Sequence, residues 1–227
     1  MTADSAQAAR AGQAERPAEL DVFVIGGTGV DTVVRVPRLP LPERETVMVP
    51  PIERYAAHTG VGVARGCHHL GLRTHIADVV GADPEGDQVR ESCAAAGLSS
   101  DFRTHPSGTR RSVNLVAPDG RRVSLYDGRH PLGMDVDPGL YRPVFARTRH
   151  VHVSVVDWAR HALAEAAAAG LSTSTDLHDW DGVNDYHRDF AHGAGLVFLS
   201  VSALGDRVEE TAEAAPAGAR RRFPPHW

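Results

Sequence analysis

The stretch "VIGGTGVD", residues 24–31, decides how the chain is read. It closes an apolar run, "DVFVI", and opens a glycine-rich turn at Gly26-Gly27-Thr28-Gly29. A buried strand followed by such a turn is how dinucleotide-binding domains begin. That fingerprint needs G-x-G-x-x-G running straight into a helix, whose N-terminal amides hold the pyrophosphate. Counted from Gly27 and Gly29, the third glycine falls on Thr32, and "VVRVPRLP" follows. β-Branched residues and prolines cannot start that helix. The glycines therefore read as a strand end that turns without side chains in the way. Asp31 remains: an acid placed just past the first strand, where α/β sheets bind ligands, able to accept hydrogen bonds from neighbouring sugar hydroxyls. A solvated turn aspartate is the plainer alternative.

Outward from this turn, strand and helix signals alternate from residue 21 to about 205. "DVFVIG", "LRTHIADVVG", "RHVHVSVV", "GLSTSTDL" and "GLVFLSV" read as strands. "VGVARGCHHLG" carries Val63, Cys67 and Leu70 at helical spacing and stops at Gly71. "GDQVRESCAAAGL" is a second helix, with Asp87 as its expected cap and Gly97 as its stop. Asp157 is the expected N-cap of "WARHALAEAAAAG". Such alternation predicts an α/β fold with a mostly parallel, Rossmann-like sheet flanked by helices. Two segments interrupt it. Prolines at 37, 40 and 42 keep "TVVRVPRLPLPERETVMVP" from being helical, and "TRRSVNLVAPDGRRVSLYD" is a hairpin around Asp119-Gly120. Together they predict a small antiparallel flap, about residues 33–55 and 108–127.

Bulk composition narrows the classes. The 227 residues are 42% hydrophobic, enough for a real core, and no apolar run reaches the roughly 20 residues of a membrane span. A net charge of -5 argues against a nucleic-acid partner. Cys67 and Cys93 lie in helix-like segments and read as reduced thiols, which points to the cytoplasm. The chain contains no lysine, which excludes a P-loop and Schiff-base chemistry. Residues 1–20 read as a disordered leader. Residues 211–227, "TAEAAPAGARRRFPPHW", lack apolar periodicity and read either as a disordered tail or as translation out of frame.

Several segments, in order, resemble the ribokinase-like, PfkB-type carbohydrate kinases. "VIGGTGVD" matches the opening strand and turn, with Asp31 on the family's hydroxyl-binding aspartate. "AHTGVGVARGCHHLG", residues 57–71, matches the Gly-Gly-x-x-x-Asn segment that enters a helix, and Gly81-Ala82-Asp83-Pro84-Glu85-Gly86 matches G-x-D-x-x-G in full. The resemblance covers roughly residues 21–205 and implies phosphoryl transfer from ATP with Mg2+ to a sugar hydroxyl. It also implies a substrate site at Asp31, Thr59, Gly60 and Gly62, with Arg110 and Arg111 on the flap, and a homodimer through that flap. Alternation lets only one of the two arginines face the site. Asp176 and His178, in "TDLHDWDG", are placed on the phosphate or magnesium side of the cleft, against a simpler reading as turn-capping residues. No dedicated metal site is expected from the histidines.

The departures are specific. The glycine pair falls on Ala57-His58 and the asparagine on Gly62; the family's Asn-x-x-Glu falls on Ser200-Val201-Ser202-Ala203. The family's Gly-Ala-Gly-Asp element, with the aspartate that takes the substrate proton, finds no match before the end of the sequence. The resemblance therefore implies impaired catalysis and no catalytic base within these residues. A non-catalytic sugar- or nucleoside-binding module and an α/β NAD(P)-dependent oxidoreductase with a degenerate glycine turn are the rival readings.

Overall fold

Six parallel strands form the body, in the order β10-β9-β8-β1-β4-β5. The structure, a computed structural model, describes residues 19–200. The strands are β1 (Leu20–Ile25), β4 (Thr74–Val80), β5 (Ser99–Thr104), β8 (Thr148–Val153), β9 (Ser172–Asp176) and β10 (Leu196–Phe198). β4 is buried at every position, as a strand with both faces covered must be. One face packs Val22, Val24 and Ile76 against α1 (Thr59–His69) and α2 (Pro84–Ala95). The other packs Phe23, Ile25, Val151 and Val153 against α4 (Arg160–Ala168) and α5 (Asp185–Gly193), through Leu163 and Phe190. A four-residue turn of helix, α3 (Arg142–Phe145), leads into β8. Trp158 and Trp180 are buried in this core.

The flap is a separate four-stranded sheet, β3-β2-β6-β7. Its strands are β2 (Gly29–Arg35), β3 (Glu53–Ala57), β6 (Arg111–Val116) and β7 (Arg122–Asp127). β6 and β7 form the hairpin around Asp119-Gly120, with Gly120 at φ 85°. The sheet is mixed rather than antiparallel throughout, because β2 and β6 run parallel. Only three residues separate β1 from β2, so Asp31 stands inside a flap strand and not in the turn.

Both expected caps fall elsewhere. α2 starts at Pro84, and its N-cap is Asp83, whose Oδ1 accepts from the Gly86 amide at 2.8 Å. Proline is favoured in the first helical turn, where its missing N–H would be unpaired anyway, so the start precedes Asp87. Before α4 the chain makes a 3-10 turn at Asp157–Ala159, and the Asp157 carboxylate accepts from the Gly133 amide instead of capping the helix. Gly71 and Gly97 end their helices at φ 83° and 66°, in the left-handed region that helix stops use. The leader, the tail and the segment from Val201 onward lie outside the described residues, apart from the first strand's immediate entry at residues 19–20.

Candidate functional site

The glycine turn is a joint between body and flap. Gly26 and Gly27 both stand at φ 77°. A side chain on Gly27 would run into Ser154 and the Gly60 backbone, and one on Gly60 would run into the Gly26 carbonyl. The start of α1 is therefore pressed directly onto the turn, and the Val61 amide donates to the Gly27 carbonyl at 3.2 Å. The next residue, Thr28, is fully buried and donates its amide and hydroxyl to Oδ2 of Asp78, both at 2.7 Å. Arg110 closes the joint: its Nη2 pairs with the same oxygen and its Nε donates to the Thr28 carbonyl at 3.1 Å. β2 follows the turn directly, and the helix that abuts it, α1, enters from a later segment, so the consecutive strand–turn–helix unit of a dinucleotide site is not formed. That removes the oxidoreductase reading.

Beyond the joint, pairing across the flap sets out a polar face. Asp31 lies beside Ser112, which lies opposite Tyr126; Asn114 lies opposite Ser124. The Ser112 hydroxyl donates to Asp31 Oδ1 at 2.6 Å, Asn114 donates to Ser112 at 3.0 Å, and Ser124 donates to Asn114 at 2.8 Å. Each side chain in this chain of bonds orients the next. From the body, His58 reaches across so that its Nε2 is 3.2 Å from Asp31 Oδ1. Burial pushes the Asp31 carboxyl up, but the His58 contact and the Ser112 bond outweigh it and hold the group below the usual carboxylate range. Asp31 is thus an ionised acceptor on the polar face of the flap, suited to bind neutral hydroxyl donors.

The other candidate residues are distributed unevenly. Thr59, Gly60 and Gly62 form the first turn of α1, next to His58. Gly60 is consumed by packing on the turn, whereas a side chain on Gly62 would meet nothing. Arg110 is buried in the joint. Arg111 is registered beside Val30, on the face opposite Asp31, and pairs at 3.3 Å with both Glu85 and Asp127. A cleft between flap and α2 is lined by Val30, Thr32, Glu85, Arg111, Ser112 and Tyr126, so it draws on residues of both runs of the flap. Asp176 ends β9, and its Oδ1 accepts at 2.9 Å from the amide of His178, which itself stands at φ 57°. Sequence reasoning missed His58, Ser112, Tyr126 and Asp78 as parts of this region.

The fit to a nucleotide and its metal differs from the fit to a sugar. Among the described residues, no group of three or more His, Cys, Asp or Glu side chains is arranged to hold a metal ion. Asp176 turns one oxygen back onto its own chain. The described residues therefore offer no built magnesium cradle, and no chemical step is derived through one.

This architecture, a parallel body with a β flap bearing the Asp31 carboxylate, is the ribokinase-like fold, and the proteins similar to the chain are acarbose kinases and ribokinase-type sugar kinases. No family model matches the sequence. It is 46% identical over 187 residues to the acarbose 7(IV)-phosphotransferase of Actinoplanes sp., covering 82% of this chain and 62% of that protein. A solved microbiome-derived acarbose kinase, Mak1, is 56% identical with a TM-score of 0.79, over 86% of this chain and 65% of that one. An Arabidopsis thaliana ribokinase solved with ribose and ATP shares the fold, with a TM-score of 0.64 at 18% identity over 86% of this chain and 67% of its own. The chain thus spans less than two thirds of the length of the first two relatives.

Proposed function

We propose that this chain forms the carbohydrate side of a kinase that transfers a phosphoryl group from ATP, with Mg2+, to a hydroxyl of acarbose or a similar pseudo-oligosaccharide. The observation that carries the reading is the Asp31 carboxylate on the polar face of the flap, with His58 beside it and the Ser112 hydroxyl donating to it. Two relatives named for acarbose phosphorylation support the substrate class. In this scheme Asp31 accepts hydrogen bonds from substrate hydroxyls, the first turn of α1 at Thr59, Gly60 and Gly62 brings backbone close to the sugar, and the flap excludes water. When bound, ATP supplies the phosphoryl group; Asp176 and His178, at the C-terminal end of β9, are the residues placed on its side. Arg110 acts by holding flap to body, and Arg111 by lining the cleft between flap and α2.

The flap's outer strand exposes Val123, Leu125 and Tyr126, which suits pairing with a second copy of the chain. Both cysteines are free, which fits a reducing compartment such as the cytoplasm. Among the described residues no helix is long and apolar enough to cross a membrane.

Isothermal titration with acarbose and with ribose, paired with ADP release on both, tests the reading. Acarbose is expected to bind in preference to ribose, and Asp31→Asn to weaken it at least about tenfold, roughly 1.4 kcal/mol. Ribose preference, or acarbose binding indifferent to Asp31→Asn, would reject it. Acarbose binding without ADP release would favour the non-catalytic module.

A further inference from the structure

His58 has a backbone that only glycine adopts readily. It stands at φ 72° and ψ 166°, as the residue immediately before α1. A side chain there is strained, and such strain persists only where the surroundings over-determine it, most often at functional sites. The surroundings of His58 do so. Its imidazole fills the space that the missing side chain of Gly29 leaves, since any Cβ on Gly29 would collide with the ring. The Tyr126 ring closes a second side, at 5.7 Å between centroids and 49° between planes. Asp31 closes the third, with 3.2 Å between Nε2 and Oδ1; the His58 and Asp31 side chains are only 11% and 18% exposed.

The contacts on Asp31 are one-sided. The Ser112 hydroxyl donates to Oδ1, and His58 Nε2 stands 3.2 Å from the same oxygen as an ion-pair contact rather than an aligned hydrogen bond. Among the described residues, no hydrogen bond or ion pair engages Oδ2. Both contacts fall on one oxygen, which leaves the second for a ligand.

We infer that His58 is a positioning residue of the carbohydrate subsite: its imidazole orients the Asp31 carboxylate so that the protein holds Oδ1 and a substrate hydroxyl takes Oδ2. This rests on the reading of Asp31 as a carbohydrate ligand. Ser112 alone, a freely rotating hydroxyl on a neighbouring strand, would leave the carboxylate one hinge about which to turn. The imidazole adds a second, rigid point of contact from a different element, so the orientation also records whether flap and body are correctly apposed. A strained backbone at the junction of the two is the structural cost of that reading point.

The test uses the full chain with His58→Gly and His58→Asn. Glycine relieves the backbone, so His58→Gly is expected to keep or raise the thermal midpoint while weakening acarbose binding at least about tenfold. Asparagine tolerates positive φ and restores a donor, so His58→Asn is expected to recover part of that affinity. A second readout needs no ligand. The Asp31 carboxyl, also faced by Ser112 and the charge of Arg122, is titrated by 13C NMR; its midpoint is expected to rise in His58→Gly and return partly in His58→Asn. Unchanged acarbose affinity together with an unmoved Asp31 titration in both variants would overturn the inference. If even the unaltered chain fails to bind acarbose while the titration moves as expected, His58 still positions Asp31 and the assigned substrate is what fails.

Discussion

In the body sheet, Phe23, Ile25, Ile76 and Val151 are fully buried between two helical layers, and close packing of apolar side chains holds each strand. In the flap, small apolar clusters around Val30 and Ala56 and around Val36 and Leu39 are joined by a polar set: Thr28, Asp78 and Arg110 at its root, then Asp31, Ser112, Asn114 and Ser124 along one face. Apolar packing is non-directional and tolerates small shifts. Charge-assisted hydrogen bonds demand set distances and angles. The molecule therefore uses the first to build a scaffold and the second to aim a lid.

The largest expected effect tests the root of the flap. Asp78 is fully buried and accepts from the amide and hydroxyl of Thr28, from the Val79 amide at Oδ1, and from Arg110. Arg110→Met leaves that carboxylate without its counter-charge and is expected to cost about 3–5 kcal/mol in urea unfolding. The double variant Asp78→Leu/Arg110→Met is expected to lose much less than the two single losses combined, because no buried charge is stranded. A single variant costing under 1 kcal/mol would show that the joint is not what holds the flap.

The next effect concerns a buried polar group of the body. His152, on β8, is 2% exposed; its Nδ1 is paired with the Ser174 hydroxyl at 2.9 Å and its Nε2 has no hydrogen-bond partner. Burial, only partly opposed by Asp176, pushes its pKa down to about 4 from 6.5, and burial with the Arg110 charge takes His130 to about 4 as well. Between these values the unfolded chain binds protons that the folded chain refuses. Stability is therefore complete above about pH 6.5, falls as the pH drops, and levels below about 4. For His152 the loss is on the order of 1–3 kcal/mol, from the usual conversion of a pKa shift. Urea midpoints at pH 7, 5.5 and 4.5 follow it, and His152→Leu is expected to flatten the slope.

Asp83 gives a smaller effect and connects the regions. It caps α2 and also accepts from the Thr109 amide at 2.8 Å and hydroxyl at 2.6 Å, one residue before Arg110. Asp83→Ala is expected to cost about 1–2 kcal/mol, and hydrogen exchange should rise at the start of β6 as well as in the first turn of α2. Exchange confined to α2 would mean that the cap does not anchor the flap.

How far the sequence foretells this arrangement follows the same division. The central strands β1 and β4 are legible because parallel strands covered on both faces are continuous apolar runs, whereas the edge strand β5, with the sequence SSDFRT, has no such run and is missed. Helix stops are legible at Gly71 and Gly97 because few residues other than glycine take the left-handed position. Polar positions are less so. Asp83 and Asp87 sit four residues apart in one window, and only the proline after Asp83 separates cap from surface acid. Asp78 shows as a lone acid inside "THIADVV", yet its partner lies 32 residues away and is chosen by tertiary packing. His58 is hardest: a histidine where glycine is expected looks like decay of a motif, and nothing in its identity announces a positive φ.

Arg110 and Arg111 condense the contrast into two adjacent letters. Both are candidates for ligand contact on the flap, and only placement tells them apart. Arg110 is enclosed in the joint, while Arg111 keeps 38% of its side chain exposed and shares Glu85 and Asp127 across 3.3 Å on the far face. Exposed pairs of this kind contribute about 0–1 kcal/mol, because solvent screens them and ordering two long side chains offsets the attraction. Arg111→Gln is therefore expected to change unfolding free energy by less than about 1 kcal/mol and to leave carbohydrate affinity unchanged. Titration of the variant with acarbose checks the second half of that statement. A tenfold loss would mean that the flap presents both faces to its ligand, and that the polar face bearing Asp31 is only part of the subsite.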